Sequence, residues 1–282
     1  MGKDIFEHFN SITSFMKALE ERKENNSAMS GEFSSKSGSE SFTGTKSYDE
    51  AADLLKNGWT EKLEEVKQKF SAAVKANANA STERVRPTTG IVGYAPCVPN
   101  AIRGLPNSMI TSERTPQKVK AVSLVYGTTV NSEFGSDELI KCGVVIMQIV
   151  NSLELSGYRV KLVQELVATG TGSDTATAMI DLKDYRQPLD LKKLCFPMIH
   201  SSMFRRLGFK WLETVPNLTN RGFSGGYGSA QTSDYNERKE FLKEKLNCLG
   251  DKDFYLTAYL IRKNRYDVTK VMEAAGMASL NK

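Results

Sequence analysis

The chain has 282 residues, of which 40% are hydrophobic and 25% charged, and a net charge of +5. That is ordinary globular usage, and it excludes a chain disordered throughout, a collagen-like repeat and a disulfide-stapled miniprotein. Only two histidines occur, His8 and His200, so His-based triads and multi-His metal sites have almost no raw material.

The four cysteines, Cys97, Cys142, Cys195 and Cys248, form no Cys-x-x-Cys unit, which argues against a disulfide framework or a zinc knuckle and for a reduced, cytosolic compartment. The first residues lack the apolar run of a secretory signal. Phe6 stands where a myristoylation signal wants Ser or Thr. The most apolar run, residues 143–150, is too short to cross a bilayer, so no membrane partner is expected. Charge is uneven: residues 1–80 carry 11 Lys/Arg against 13 Asp/Glu, and residues 81–282 carry 27 against 20. A lean this mild permits, without requiring, attraction to polyanions.

In chain order, Ile5, Phe9, Ile12, Met16 and Leu19 recur at helical spacing and predict an amphipathic helix over residues 5–22, an N-terminal arm within 1–25 that packs on its own domain or docks on a partner. Residues 26–47 turn polar and Ser-rich and read as a flexible linker. Ser47 with Glu50 makes a capping box, Gly58 suits a helix end, and Leu63, Val66, Phe70 and Val74 form a second stripe, so residues 48–82 read as a helical hairpin. Residues 83–118 hold Pro and Gly too densely for a long helix or central strand and read as irregular.

Residues 119–282 carry the clearest pattern. A strand at 119–126 is followed by an apolar helix at 136–155, a strand at 158–167, a tight turn at 170–174 and a strand at 176–182. Helices, a Gly-rich loop at 221–228 and a polar helix at 236–246 lead to a strand at 254–261, and Asp267 caps a last helix. This order predicts an α/β fold: a mostly parallel sheet with one antiparallel hairpin, flanked by helices and preceded by a helical N-terminal region.

Two segments carry a resemblance: Phe42-Thr43-Gly44-Thr45-Lys46-Ser47 running on to Gly58-Trp59, and Gly93-Tyr94-Ala95-Pro96-Cys97-Val98-Pro99 running on to Gly104-Leu105-Pro106 and Met109. Together they resemble a motif pair of uncharacterised bacteriophage and mobile-element proteins with a von Willebrand factor A-type, Rossmann-like core, over residues 40–265. The resemblance implies a phage origin, the cytoplasm of a bacterial host or the virion as location, and no transferable activity. A-type domains place D-x-S-x-S after the first strand to hold a hard cation. Here Tyr126-Gly127-Thr128-Thr129-Val130-Asn131-Ser132 lacks the Asp, so a degenerate site without metal or cofactor is expected.

The reading that follows is non-enzymatic: a phage-encoded virion or assembly component acting through protein–protein contacts, with itself, another phage protein or, by analogy with A-type domains, an AAA+ ATPase. Its expected surface is the sheet mouth, Tyr126, Thr128, Thr129 and Ser132. A second reading is nucleic-acid binding through Lys192, Lys193, Arg205, Arg206 and Lys210, among which Phe204, Phe209 and Trp211 are interleaved. A third is a metal-dependent enzyme using carboxylates near the sheet mouth, such as Glu133, Asp137 and Asp174.

Overall fold

Alternation of apolar residues along five strands and an almost uniformly apolar central helix fix the architecture. The structure is a computed structural model that describes residues 4–24, 34–76, 86–113, 120–170, 174–216, 218, 223, 227, 229–230, 235–245, 247–250 and 252–281. The chain forms two compact units, one of residues 1–78 with 121–282 and one of residues 79–120.

The larger unit is the α/β fold. It starts with β1 (Ile5–Phe9), α1 (Ile12–Glu21), a helical turn α2 (Glu40–Thr43), α3 (Tyr48–Asn57) and α4 (Leu63–Ala76). The smaller unit holds β2 (Arg86–Gly90), β3 (Ala95–Pro96), α5 (Val98–Ile102) and β4 (Met109–Glu113). The larger resumes with β5 (Lys120–Gly127), α6 (Ser136–Leu155), the hairpin β6 (Tyr158–Thr169) and β7 (Thr175–Lys183), and α7 (Leu191–Ile199). A π-helical turn at Met203–Gly208 runs into α8 (Phe209–Thr214), followed by β8 (Ser229–Ala230) and α9 (Tyr235–Glu240), which continues as a second π-helical turn. The chain closes with β9 (Asp253–Thr257), α10 (Ala258–Lys263) and α11 (Val268–Ala274).

The sheet order is β1-β7-β6-β5-β9, with β8 added to the end of β6. It is mostly parallel, β1 with β7 and β5 with β9, and the β6–β7 hairpin is antiparallel as its short turn requires. Even-numbered side chains of β5 and β6, such as Leu124, Tyr126, Leu162 and Leu166, face a thick helical layer of α1, α3, α4, α6, α7 and α8. The opposite face, with Val125, Val163, Met179 and Tyr255, is covered more thinly by α9 and Leu242 and Leu249 beyond it. In α6, eleven side chains are buried. Its Gly143 lies so close to α7 that an added Cβ would sit 1.9 Å from Ile199 Cγ2, so this helix pair meets only because the position has no side chain.

Several expectations are corrected. Residues 5–22 are not one helix. Ile5–Phe9 pair in parallel with 176–180, and Ser11 then caps α1 by accepting from Ser14 N. The N-terminus is therefore an integral edge strand, with Glu7 accepting from Trp211 Nε1 (2.7 Å) and Arg22 Nη1 (2.8 Å), and not a free arm. Of the expected linker, residues 34–47 are folded, and residues 26–33 lie outside the described residues. Arg206 is fully buried and donates to the carbonyls of Ser35 (2.9 Å), Lys36 (3.1 Å), Gly38 (2.7 Å) and Thr45 (2.8 Å), so one guanidinium holds the whole polar segment. Glu213 adds a bond to Ser35 N. Residues 83–118 are corrected as well: β2, β4 and β3 form an antiparallel sheet in that order. The predicted strand 254–261 stops at Thr257, whose hydroxyl accepts from Leu260 N and starts α10. Among the described residues no helix is long and apolar enough to cross a membrane.

Replacing Arg206 by Met strands the carbonyls of Ser35, Lys36 and Gly38, while Thr45 O keeps the bond from Thr43 Oγ1. Thermal unfolding of Arg206→Met should show a loss of about 3–5 kcal/mol, roughly a 10 °C fall in midpoint. Lys192→Ala, on the surface, should change stability by less than about 0.5 kcal/mol. Equal effects of the two would refute the anchoring role.

Candidate functional site

The sheet mouth was expected to offer free hydroxyls, and the structure spends those of Thr128 and Thr129 internally. Tyr126 is wholly buried and faces the helical layer. Thr129 is buried too, and its Oγ1 accepts from Val167 N (3.0 Å). Thr128 Oγ1 donates to Glu165 O (3.2 Å) and accepts from Gln164 Nε2 (2.9 Å), tying β5 to β6. Only Ser132 is exposed. Glu133 is engaged with Arg262 (3.1 Å), and among the described residues no three His, Cys, Asp or Glu side chains gather as metal ligands. Beside Thr128 lies a recess of about 20 Å³, room for one water at most, also lined by Val130, Pro197 and His200.

The expected basic surface is dispersed by the fold. Lys192 and Lys193 are exposed on the first turn of α7. Arg205 donates to Phe42 O (2.6 Å) and stacks its guanidinium 4.7 Å from the Phe42 ring centre. Arg206 is the buried anchor described above. Lys210 is buried and paired with Glu24. Two of these five cations thus face water together, and the interleaved Phe209 and Trp211 are core.

A second polar centre lies under α9 and was missed in the sequence. Glu165, fully buried, accepts from Arg238 Nε (2.9 Å) and Nη2 (2.6 Å) on one oxygen and from Tyr255 Oη (2.7 Å) on the other, while Arg238 Nη2 also reaches Thr177 Oγ1 (2.8 Å). Burial, with Glu165 alongside, pushes the Tyr255 hydroxyl well above its ordinary pKa. Both carboxylate oxygens are occupied, so the group is a clasp that fastens α9 to the sheet and offers neither a base nor a ligand. A charged residue beside Gln164, set between Val163 and Leu166 in a strand rich in apolar residues, was the available signal.

The surface that departs from globular habit is in the smaller unit. Between residues 87 and 112 the sequence carries a single charge, Arg103, and no described side chain from 87 to 111 is buried. Antiparallel β2 and β4 run from Arg86 opposite Glu113 to Gly90 opposite Met109. Everything beyond that last pair, residues 91–108, forms the tip of this ribbon. The tip is ordered by backbone bonds: Tyr94 N donates to Ile110 O (2.9 Å), Cys97 N to Ser108 O (2.7 Å) and Leu105 N to Asn100 O (3.0 Å). Gly93 passes so near β4 that a Cβ there would lie 2.1 Å from Ile110 O. Six of the seven large exposed apolar residues among those described are here: Ile91 (75% exposed), Val92 (81%), Tyr94 (72%), Val98, Ile102 (81%) and Leu105. By sequence, residues 79–120 as a whole carry six Lys/Arg against two Asp/Glu. The tip is thus ordered by its backbone, largely apolar at its surface, and carries one charge, Arg103.

The family described as Domain of unknown function (DUF7192) matches residues 2–279, and the chain belongs to it. The match takes in both the edge strand β1 and the ribbon. No curated protein and no solved structure matches the chain.

His200, beside the recess, is the one histidine in the interior. Its ring stacks on Phe196 and meets Trp59 edge-on, its Nδ1 accepts from Ser202 N, and burial holds its pKa down at about 4. A base neutral in the fold but ordinary when unfolded contributes stability that is complete above about pH 6.5 and is lost as pH falls toward 4. Urea denaturation across this window should show the native chain losing about 2–3 kcal/mol more than His200→Gln. Identical pH profiles would show that this ring does not resist protonation.

Proposed function

We propose that this protein is a non-enzymatic binding protein that works through protein–protein contact, and that its recognition element is the apolar tip at residues 91–108. The observation that carries this is the exposure of Ile91, Val92, Tyr94, Val98, Ile102 and Leu105 on one backbone-ordered protrusion with a single charge. Exposed side chains of this size return about 25 cal/mol per Å² when a partner covers them, and a tip already ordered loses little entropy on docking. Tyr94 and Arg103 supply the residue types that dominate binding energy at interfaces. The motif resemblance over residues 40–265 suggests an assembly or virion component in a bacterial host as the setting.

The sheet mouth lends this reading less support, because Thr128 and Thr129 are committed to bonds with β6 and Tyr126 is buried. Nucleic-acid binding through Lys192, Lys193, Arg205, Arg206 and Lys210 lacks a common surface.

A photoreactive amino acid placed at Val92 or Ile102 tests the proposal in the cell that makes the protein. Irradiation should give discrete protein adducts from both positions, and none from the exposed control position Asp137 on α6. No adduct from either tip position would overturn the proposal.

A further inference from the structure

The geometry points to a carboxylate-binding site at the recess beside Thr128, where one oxygen of the ligand meets His200 and the other meets Arg205. The inference stands apart from the tip and asks nothing of residues 91–108. The recess, of about 20 Å³, lies between the chain following β5, the end of α7 and the π-helical turn, with Thr128, Val130, Pro197, His200, Ser201 and Arg205 in its lining. Arg205 belongs to that π-helical turn, and such turns recur at functional sites.

The polar groups around the recess can be followed one by one. Thr128 Oγ1 is committed to β6. Ser201 Oγ donates to Thr43 O (2.8 Å), and Ser202 Oγ donates to the same carbonyl (2.6 Å). Pro197 O accepts from Gln164 Nε2 (2.6 Å). His200 Nδ1 accepts from Ser202 N (3.1 Å), so the proton of the neutral ring sits on Nε2, which has no acceptor among the described residues. Arg205 gives one N–H to Phe42 O and forms no ion pair among the described residues. Two half-buried donor groups therefore remain, and no Asp or Glu lines the recess.

Arg205 differs in this from its neighbour Arg206, whose two Nη atoms are taken by four carbonyls. Burial pulls the Arg205 pKa below the usual guanidinium value, and no nearby carboxylate acts against the shift. A cation half out of water without a counter-ion is costly to hold, and an anion at the mouth offsets that cost. Glu50 and Glu61 lie near enough to act on the His200 ring, but neither lines the recess. Size then selects among anions. Room for a single oxygen shuts out a tetrahedral phosphate or sulfate, whereas a planar carboxylate can place one oxygen inside and leave the other against the flat fork of Arg205.

The chain has two histidines, so isotopic labelling of histidine in the full chain lets NMR read His200 Nε2 directly, with exposed His8 as the internal control. Titration with sodium formate at constant ionic strength should move the His200 signal to saturation and leave His8 in place. Arg205→Gln should weaken formate binding about tenfold, as loss of a charge-assisted bond does. If that variant loses the native spectrum, Arg205→Lys, which keeps the charge without the fork, should weaken binding by a smaller factor. A short peptide with a free C-terminal carboxylate separates the two sources of the ligand. Tighter binding than formate assigns the site to the chain end of a partner, and equal or weaker binding assigns it to a small carboxylate. A His200 signal that formate leaves unmoved, or moves only in step with His8, would overturn the inference. So would phosphate or the amidated peptide binding as well as formate, or an Arg205 variant with a native spectrum and undiminished binding.

Discussion

The removal of apolar side chains from water is the constraint on which this structure depends, and the two units meet it differently. In the larger unit it is satisfied from within. Helix α6 buries eleven side chains against the sheet, and the helical layer closes over the even-numbered positions of β5 and β6. The largest polar groups drawn inside find partners, Arg206 in four carbonyls and Glu165 in Arg238 and Tyr255, while Tyr126 Oη and Gln164 Oε1 are buried without one. In residues 79–120 the same constraint is unmet, because backbone bonds hold the ribbon and leave its apolar side chains outward. Among the described residues of this three-stranded sheet no side chain is buried, so little of its stability comes from apolar burial within the unit.

This division bears on where function can reside. Several polar groups near the sheet are engaged in holding the fold: the hydroxyls of Thr128 and Thr129 join β5 to β6, and Glu165 fastens α9. His200 is kept neutral between Phe196 and Trp59. Membership of a family whose match spans residues 2–279 makes the ribbon as much a part of the family's design as the sheet.

The fold class was legible because it is written in local pattern: an apolar helix between two strands, a five-residue turn too short for anything but a hairpin, and Asp267 capping α11. What was not legible depends on partners distant in sequence. Ile5 and Phe9 fit the helical spacing of the residues after them, and only pairing with 176–180 makes them a strand, although Ser11 already marked a helix start in mid-pattern. Arg206 reads as surface charge because the carbonyls it serves lie about 160–170 positions earlier. The polar run 34–47 has too little apolar surface to order itself and is held by distant side chains, Arg206 first, with Glu213, Arg205, Ser201 and Ser202. Within 83–118, frequent Pro and Gly concealed a ribbon whose Pro87 sits on an edge strand, where no ladder hydrogen bond is lost.

Footprinting of the tip with a photogenerated carbene, on the dilute purified chain and in the cells that produce it, tests the central claim most directly. Ile91, Val92, Tyr94 and Ile102 should be labelled heavily in dilute solution and protected in the cell, where the partner surface is present. Heavy labelling in both settings, or protection already in the dilute monomer, would contradict an apolar tip held ready for a partner.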